Sequence, residues 1–254
     1  MHTEDKCLEE LELQAIDVFG RELQGPIRLA DRAFGIISLC SANVPVAPID
    51  QVPESRRVCL GLLVRLANDV RAVRLLANYG YAVQAMSLLA SAMEAGYTVA
   101  FIGRDEERAK KWVQHADTAR ACWPRKQLIE GGLQQLKWLQ EGEIGEIQNC
   151  VYMHACMAKH ANPVLQRLHG YECESGAVRF TSGPALGEPS KGVALQAAWF
   201  ALLNAVNSVI VALASFVECH LSHNQQSPFF VEELASLMAE SLRLAGEGRS
   251  RWHE

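Results

Sequence analysis

A chain of 254 residues, 49% hydrophobic and 21% charged, is long enough to bury a substantial core in one large domain or two small ones, with the make-up of an ordinary soluble globular protein. A formal charge of −5 and a pI near 5.9 exclude a general electrostatic grip on nucleic-acid backbone. Its eight cysteines contain no Cys-x-x-Cys pair and lie mostly among apolar residues, so they read as reduced core residues of a cytoplasmic protein. The acidic start, Met1 to Glu10, does not resemble a signal or transit peptide.

Thr3 is placed to cap a first helix, with Glu4 and Asp5 in its first turn; Leu8, Leu11, Leu13, Ile16 and Phe19 supply the apolar side, and Gly25-Pro26 marks the end. A second helix spans Ile27 to Ser41 and carries Leu29, Phe34, Ile37 and Leu39. Pro45, Pro48 and Pro53 then break regular structure, and Pro53 suits the start of the next helix. Glu54 to Asn78 is strongly amphipathic: Cys59, Leu62, Leu63, Leu66, Val70, Val73 and Leu76 form one side, and Arg56, Arg57, Arg65 and Arg71 face mostly outward.

Between Arg74 and Arg104 the only charged residue is Glu94. Tyr81, Gln84, Ser87, Ser91, Glu94 and Thr98 recur at three- or four-residue spacing, which predicts a polar stripe on a mostly buried helix after Gly80. Ala92, Gly96 and Ala100 lie one turn apart and let a second helix approach closely. The stripe needs partners, because an unpaired buried polar group is costly.

Asp105 is an N-cap for a helix over Glu106 to Ala121; further helices are expected at Arg125 to Gln140 and Glu143 to Ala161, then a short turn at Pro163 to Leu168. His169 to Ser190 is dense in glycine and proline, with a small hairpin over Gly170 to Thr181 around Ser175-Gly176. Helix resumes from Ser190 to His223. Its stretch Val193 to Val217 is uncharged and long enough to cross a bilayer, but Asn204, Asn207, Ser208 and Ser215 give a polar edge that suits a bundle core, so no membrane is expected. A last helix covers Pro228 to Leu244, followed by a frayed tail. The whole predicts one all-α helical-bundle domain of about eight helices: N-terminal helices and a Pro-rich loop at 1–53, a helical core at 54–168, a loop insert at 169–190 and C-terminal helices at 191–246.

Glu94 is a candidate general base or ligand anchor, weighed against a structural pair with Arg71 or Arg74. Cys150 with His154, and Cys156 with His160, are each four apart, but the two pairs point a third of a turn from each other and cannot form one metal site. Cys219, His220 and His223 form a second such group near a helix end, and packing or capping is the more frequent role of such residues. The Gly183 to Lys191 loop lacks the Gly-Lys-Ser/Thr ending of a phosphate loop, and no Gly-x-Ser-x-Gly or His-Glu-x-x-His motif is present. No metal or cofactor is therefore expected.

Arg71, Gly80, Ala85, Leu88, Ser91, Glu94 and Ala95, followed by Lys159, His160, Asn162 and Pro163, resemble the pattern of an uncharacterised, mostly bacterial all-helical family of unknown function. The resemblance spans Arg56 to Pro163 and departs at Ala90, where that family often places Arg. It implies a helical fold and a site position, with no reaction attached. Separately, Arg108 and His115 fit the loose Arg-x6-His form of HEPN-type helical toxins, whose Arg and His cleave RNA, although Ala109 stands where a polar residue is usual. The reading that follows is a module binding a small molecule or protein in a pocket lined by Arg71, Tyr81, Gln84, Glu94, Lys159, His160 and Asn162. Glu94 and His160 are the candidate catalytic pair if it is a HEPN-like RNase or another metal-independent hydrolase, and a homodimer is the remaining alternative.

Overall fold

A computed structural model describes residues 7–45, 47–118, 121–134, 136, 144–160, 170–172, 178–180, 183–187 and 190–252. Among these, nine α-helices follow in order: α1 (Leu8–Glu22), α2 (Gln24–Ala42), α3 (Glu54–Asn78), α4 (Ala82–Ile102), α5 (Glu106–Gln114), α6 (Arg125–Gln134), α7 (Ile144–Lys159), α8 (Ser190–Phe216) and α9 (Ser227–Trp252). A π-helical turn, Val217–Leu221, extends α8. The expected strand pairing is present: β1 (Gly170–Glu172) pairs antiparallel with β2 (Val178–Phe180), Gly170 opposite Phe180 and Glu172 opposite Val178, while the expected turn at Ser175-Gly176 lies outside the described residues. Thr3, Asn162 and the expected turn at Pro163 to Leu168 lie outside the described residues.

The all-α expectation holds, and α4 and α8 are its axis. They pack against each other, α3 covers α4 from one side, and α6 and α7 cover it from another. α2 bridges α3 and α8, and α9 lies along α8 and α2. Both axial helices are apolar nearly all round, the pattern of a helix at the centre of a core. The small residues do what their spacing predicts. A Cβ added at Gly96 would sit 2.6 Å from the carbonyl oxygen of Ser208, so α4 and α8 cross backbone to backbone there. Both helices are also long and apolar enough to cross a membrane, and 78% of each such window is buried inside the bundle.

Several boundaries differ from expectation for identifiable reasons. Gly25-Pro26 does not separate α1 from α2; the break is at Leu23, and Pro26 occupies the first turn of α2, where a missing N–H costs no helical bond. Leu8, Leu13 and Leu39 are exposed; of the apolar side expected for α1, Phe19 is buried, together with Ala15. Gly80 ends the α3 segment as expected. It adopts φ +77°, and the segment bearing Pro184 and Ala185 docks on it, with Ala185 N–H donating to the Gly80 carbonyl at 3.5 Å. Asp105 caps α5 through a 3.0 Å bond from the Arg108 amide, but α5 stops at Gln114. The tail beyond Leu244 is helical to Trp252 because Gly248 packs on the Trp199 indole and Arg251 pairs with Glu22 of α1. Among the cysteines, Cys40 and Cys59 are core residues whose thiols burial pushes up to about 12, whereas Cys7 and Cys150 are exposed.

Candidate functional site

The polar stripe of α4 winds around the helix. Each step of three residues falls about 60° short of a full turn, so Tyr81 and Glu94 end about 140° apart around the axis and about 20 Å apart along it. They therefore meet different neighbours. The Tyr81 hydroxyl donates to Glu12 of α1 at 2.6 Å, and that bond, with burial, pushes its pKa up to about 12. Gln84 is exposed. Ser91 turns to α3, accepting from Arg65 at 2.8 Å and donating to Asp69 at 2.7 Å. Thr98 is buried and donates to the Glu94 carbonyl at 2.6 Å. The stripe is answered chiefly by other side chains.

Glu94 faces α7, where its carboxylate accepts the Tyr152 hydroxyl. One turn further along the same seam, the Tyr97 hydroxyl donates to Gln148 at 3.0 Å. Burial first, and the Glu94 carboxylate second, hold the Tyr152 phenol well above its usual range, so it remains a donor. The Arg125 guanidinium lies 5.5 Å from the centre of the Tyr152 ring. Glu94 is thus neither paired with Arg71, which lies over the Phe34 ring, nor with Arg74, which bonds Asp31. Ala90, the position at which the resembling family places Arg, is fully buried.

The expected site residues do not converge. Arg71, Gln84, Lys159 and His160 are exposed, and Asn162 lies outside the described residues. His160 follows Tyr152 by eight residues, about 12 Å along α7, and among the described residues no contact joins it to Glu94. His154 turns back on its own helix, with Nδ1 2.8 Å from the Cys150 carbonyl. Among the described residues no three His, Cys, Asp or Glu side chains gather as a metal ion would require. Arg108 binds Asp105 at 3.0 Å, stacks 4.1 Å over Phe101 and donates to the Phe101 carbonyl, so its head is committed to the α4–α5 corner, seven residues from His115 at the end of α5.

A groove of about 730 Å³ begins one turn beyond Glu94. Tyr97 and Gln148 form one wall, Leu203, Asn204 and Asn207 of α8 the floor, and Met238, Ser241, Ala245 and Arg249 of α9 the other wall. Asn207 accepts from Ser241 at 3.0 Å, and the Asn204 amide donates to the Phe200 carbonyl, so these amides are held in place. Trp199 also lines the groove; the residue is 8% exposed, and its Nε1–H, buried against Gly248, has no acceptor among the described residues. No carboxylate lies within ion-pair distance of Arg249 among the described residues. Asn204 and Asn207 stand out in the sequence as part of the polar edge of an uncharged helix, but the other two residues of that edge, Ser208 and Ser215, are buried in the bundle and do not line the groove. Gln148, Ser241 and Arg249 carry no such signal, since each is an ordinary polar residue of an amphipathic helix.

Compared with protein-family models, with curated proteins and with solved structures, the chain matches none.

Proposed function

We propose that the protein is a binding module for a small amphiphilic molecule, seated in the groove between α4, α7, α8 and α9. One observation carries this reading: a mostly apolar cleft of about 730 Å³, in the size range of small-molecule sites, is lined by Trp199, Phe200 and Leu203 together with the polar Gln196, Asn204 and Arg249. α8 and α9 run antiparallel, Trp199 against Gly248 and Asn207 against Ser241, so the groove has distinct ends. Gln196 and Arg249 supply donors at one end, and Ile210, Val211 and Met238 make the other apolar. A ligand suited to it has an acceptor or anionic head at the Arg249 end and a hydrocarbon body extending past Phe200 and Leu203.

The test uses 8-anilinonaphthalene-1-sulfonate, which combines an apolar body with an anionic head, and decanoate as competitor. The full chain is expected to bind the dye saturably and release it to decanoate. Ala245→Phe, at a half-buried position on the groove wall, fills the cleft and is expected to abolish binding while leaving the circular dichroism unchanged. Absence of saturable binding, or equal binding by a folded Ala245→Phe variant, overturns the proposal.

A further inference from the structure

A second cavity, about 400 Å³, opens where the C-terminal end of α8 meets the start of α3 and the end of α4. Here α8 widens into the π-helical turn Val217–Leu221, a form often found at functional sites. Arg104 donates through Nε to the Cys219 carbonyl at 2.7 Å, and through Nη2 to the Glu218 carbonyl and to Ser222. Arg56 donates through Nη2 to the His220 carbonyl at 3.3 Å. The His220 Nε2 lies 3.0 Å from the Gly103 carbonyl; that contact requires a hydrogen on Nε2, leaving Nδ1 as an acceptor when the ring is neutral.

Helix-end carbonyls account for only part of these donors. Among the described residues, Nε and Nη1 of Arg56 and Nη1 of Arg104 have no acceptor, and the Arg56 Nε is buried. No carboxylate lies within ion-pair distance of either guanidinium among the described residues, even though the chain is acidic overall. The adjacent acid, Glu106, is committed elsewhere: it accepts the backbone N–H groups of Glu54 and Ser55 and the Ser55 hydroxyl, capping α3, whose own N-cap, Pro53, has no capping side chain. Two guanidinium groups with spare donors therefore line a cavity that also contains His220, Ser222, His223 and Asn224.

We propose that this cavity binds a soluble phosphomonoester that carries a hydroxyl group close to its phosphate. Forked, permanently charged guanidinium groups match the several oxygens of a phosphate dianion. The His220 Nδ1 is the acceptor for the hydroxyl, and a space of about 400 Å³ exceeds what a bare phosphate fills. Cys219 stays a thiol, because burial raises its pKa, so the site binds and offers no thiolate nucleophile. This proposal rests on α3, α4 and the π turn and is independent of the groove.

The experiment titrates the full chain with glycerol 3-phosphate in chloride buffer, following the ring signals of His220 and His223 by NMR and the affinity by calorimetry. Saturable shifts of both histidines are expected, with weaker binding of inorganic phosphate and none of glycerol. Arg56→Gln is expected to weaken glycerol 3-phosphate about ten- to hundredfold, as loss of charge-assisted hydrogen bonds implies, whereas Arg65→Gln on the same helix leaves it unchanged. Should Arg56→Gln not fold, Arg104→Lys, which keeps the charge and loses the fork, replaces it with the same expected direction. The proposal is overturned by non-saturating shifts, by equal losses in the Arg65 and Arg56 variants, by inorganic phosphate binding as tightly as the ester, or by binding only to vesicles containing phosphatidic acid.

Discussion

Gly96→Ala tests the crossing on which the groove depends. The new Cβ would lie 2.6 Å from the Ser208 carbonyl oxygen, 3.2 Å from its carbonyl carbon and 3.2 Å from its Cβ. Ordinary carbon–oxygen contact begins near 3.4 Å, so α4 and α8 must separate by several tenths of an ångström. The obstacle is backbone within a long helix, which cannot swing aside. Overpacking of this kind costs about 1–3 kcal/mol. Alanine returns up to about 1 kcal/mol through its better helix propensity. Taking the middle of each range, the balance is a net loss of about 1.5 kcal/mol, seen as a melting temperature lower by about 3–6 °C in a chain of this size. The control is Gly61→Ala on the exposed side of α3, where an added Cβ meets nothing within 4 Å; it is expected to gain about 0.5–1 kcal/mol. Thermal unfolding by circular dichroism reads both variants. If Gly96→Ala is as stabilising as Gly61→Ala, the two backbones do not touch and the close crossing is wrong. Because Tyr97 and Asn207 stand on these two helices, the same variant is expected to weaken dye binding in the groove.

Tyr152→Phe leaves the half-buried Glu94 carboxylate without its donor and is expected to cost about 1–3 kcal/mol in denaturant melts; adding Glu94→Leu should recover part of that loss, and strictly additive effects would mean the bond is not made. Glu106→Ala removes the acceptor for two first-turn N–H groups of α3 and for Ser55, with an expected loss of about 1–2 kcal/mol in the same assay; a loss within error would show that solvent serves α3 equally well. His220 titrates against folding: burial, then the neighbouring Arg56 charge, lower its pKa from 6.5 to about 4. The unfolded chain binds the proton first as the pH falls, so this contribution is complete above about pH 6.5 and is lost between there and about pH 4. Full linkage is about 3 kcal/mol, which solvent screening at this partly exposed ring reduces to about 1–2 kcal/mol. The stability difference between wild type and His220→Gln should shrink by that amount across the window, and a difference independent of pH would refute the assignment.

Most helices, and the central place of α4, were legible in the sequence, because apolar periodicity, an uncharged run and helix-capping residues are local properties of the chain; the ends of α5 and α9 were not. Glu94 as the lone charge on α4, Gly96 as a contact point, Asp105 as a cap and the pairing of Gly170–Glu172 with Val178–Phe180 were all legible for that reason. The partners of the polar stripe were not. One-dimensional spacing records that Tyr81 and Glu94 share a stripe, but it does not show that the stripe drifts far enough to face α1 at one end and α7 at the other. The arrangement of α7 decided that Glu94 meets Tyr152, an uncharged donor 58 residues away, rather than an arginine of α3. The docking of Gly248 on Trp199 likewise drew the expected frayed tail into α9, making it a wall of the groove. Both cavities arise where helices distant in sequence fail to close completely on one another. That residual space belongs to the packing of the bundle, and no single segment encodes it.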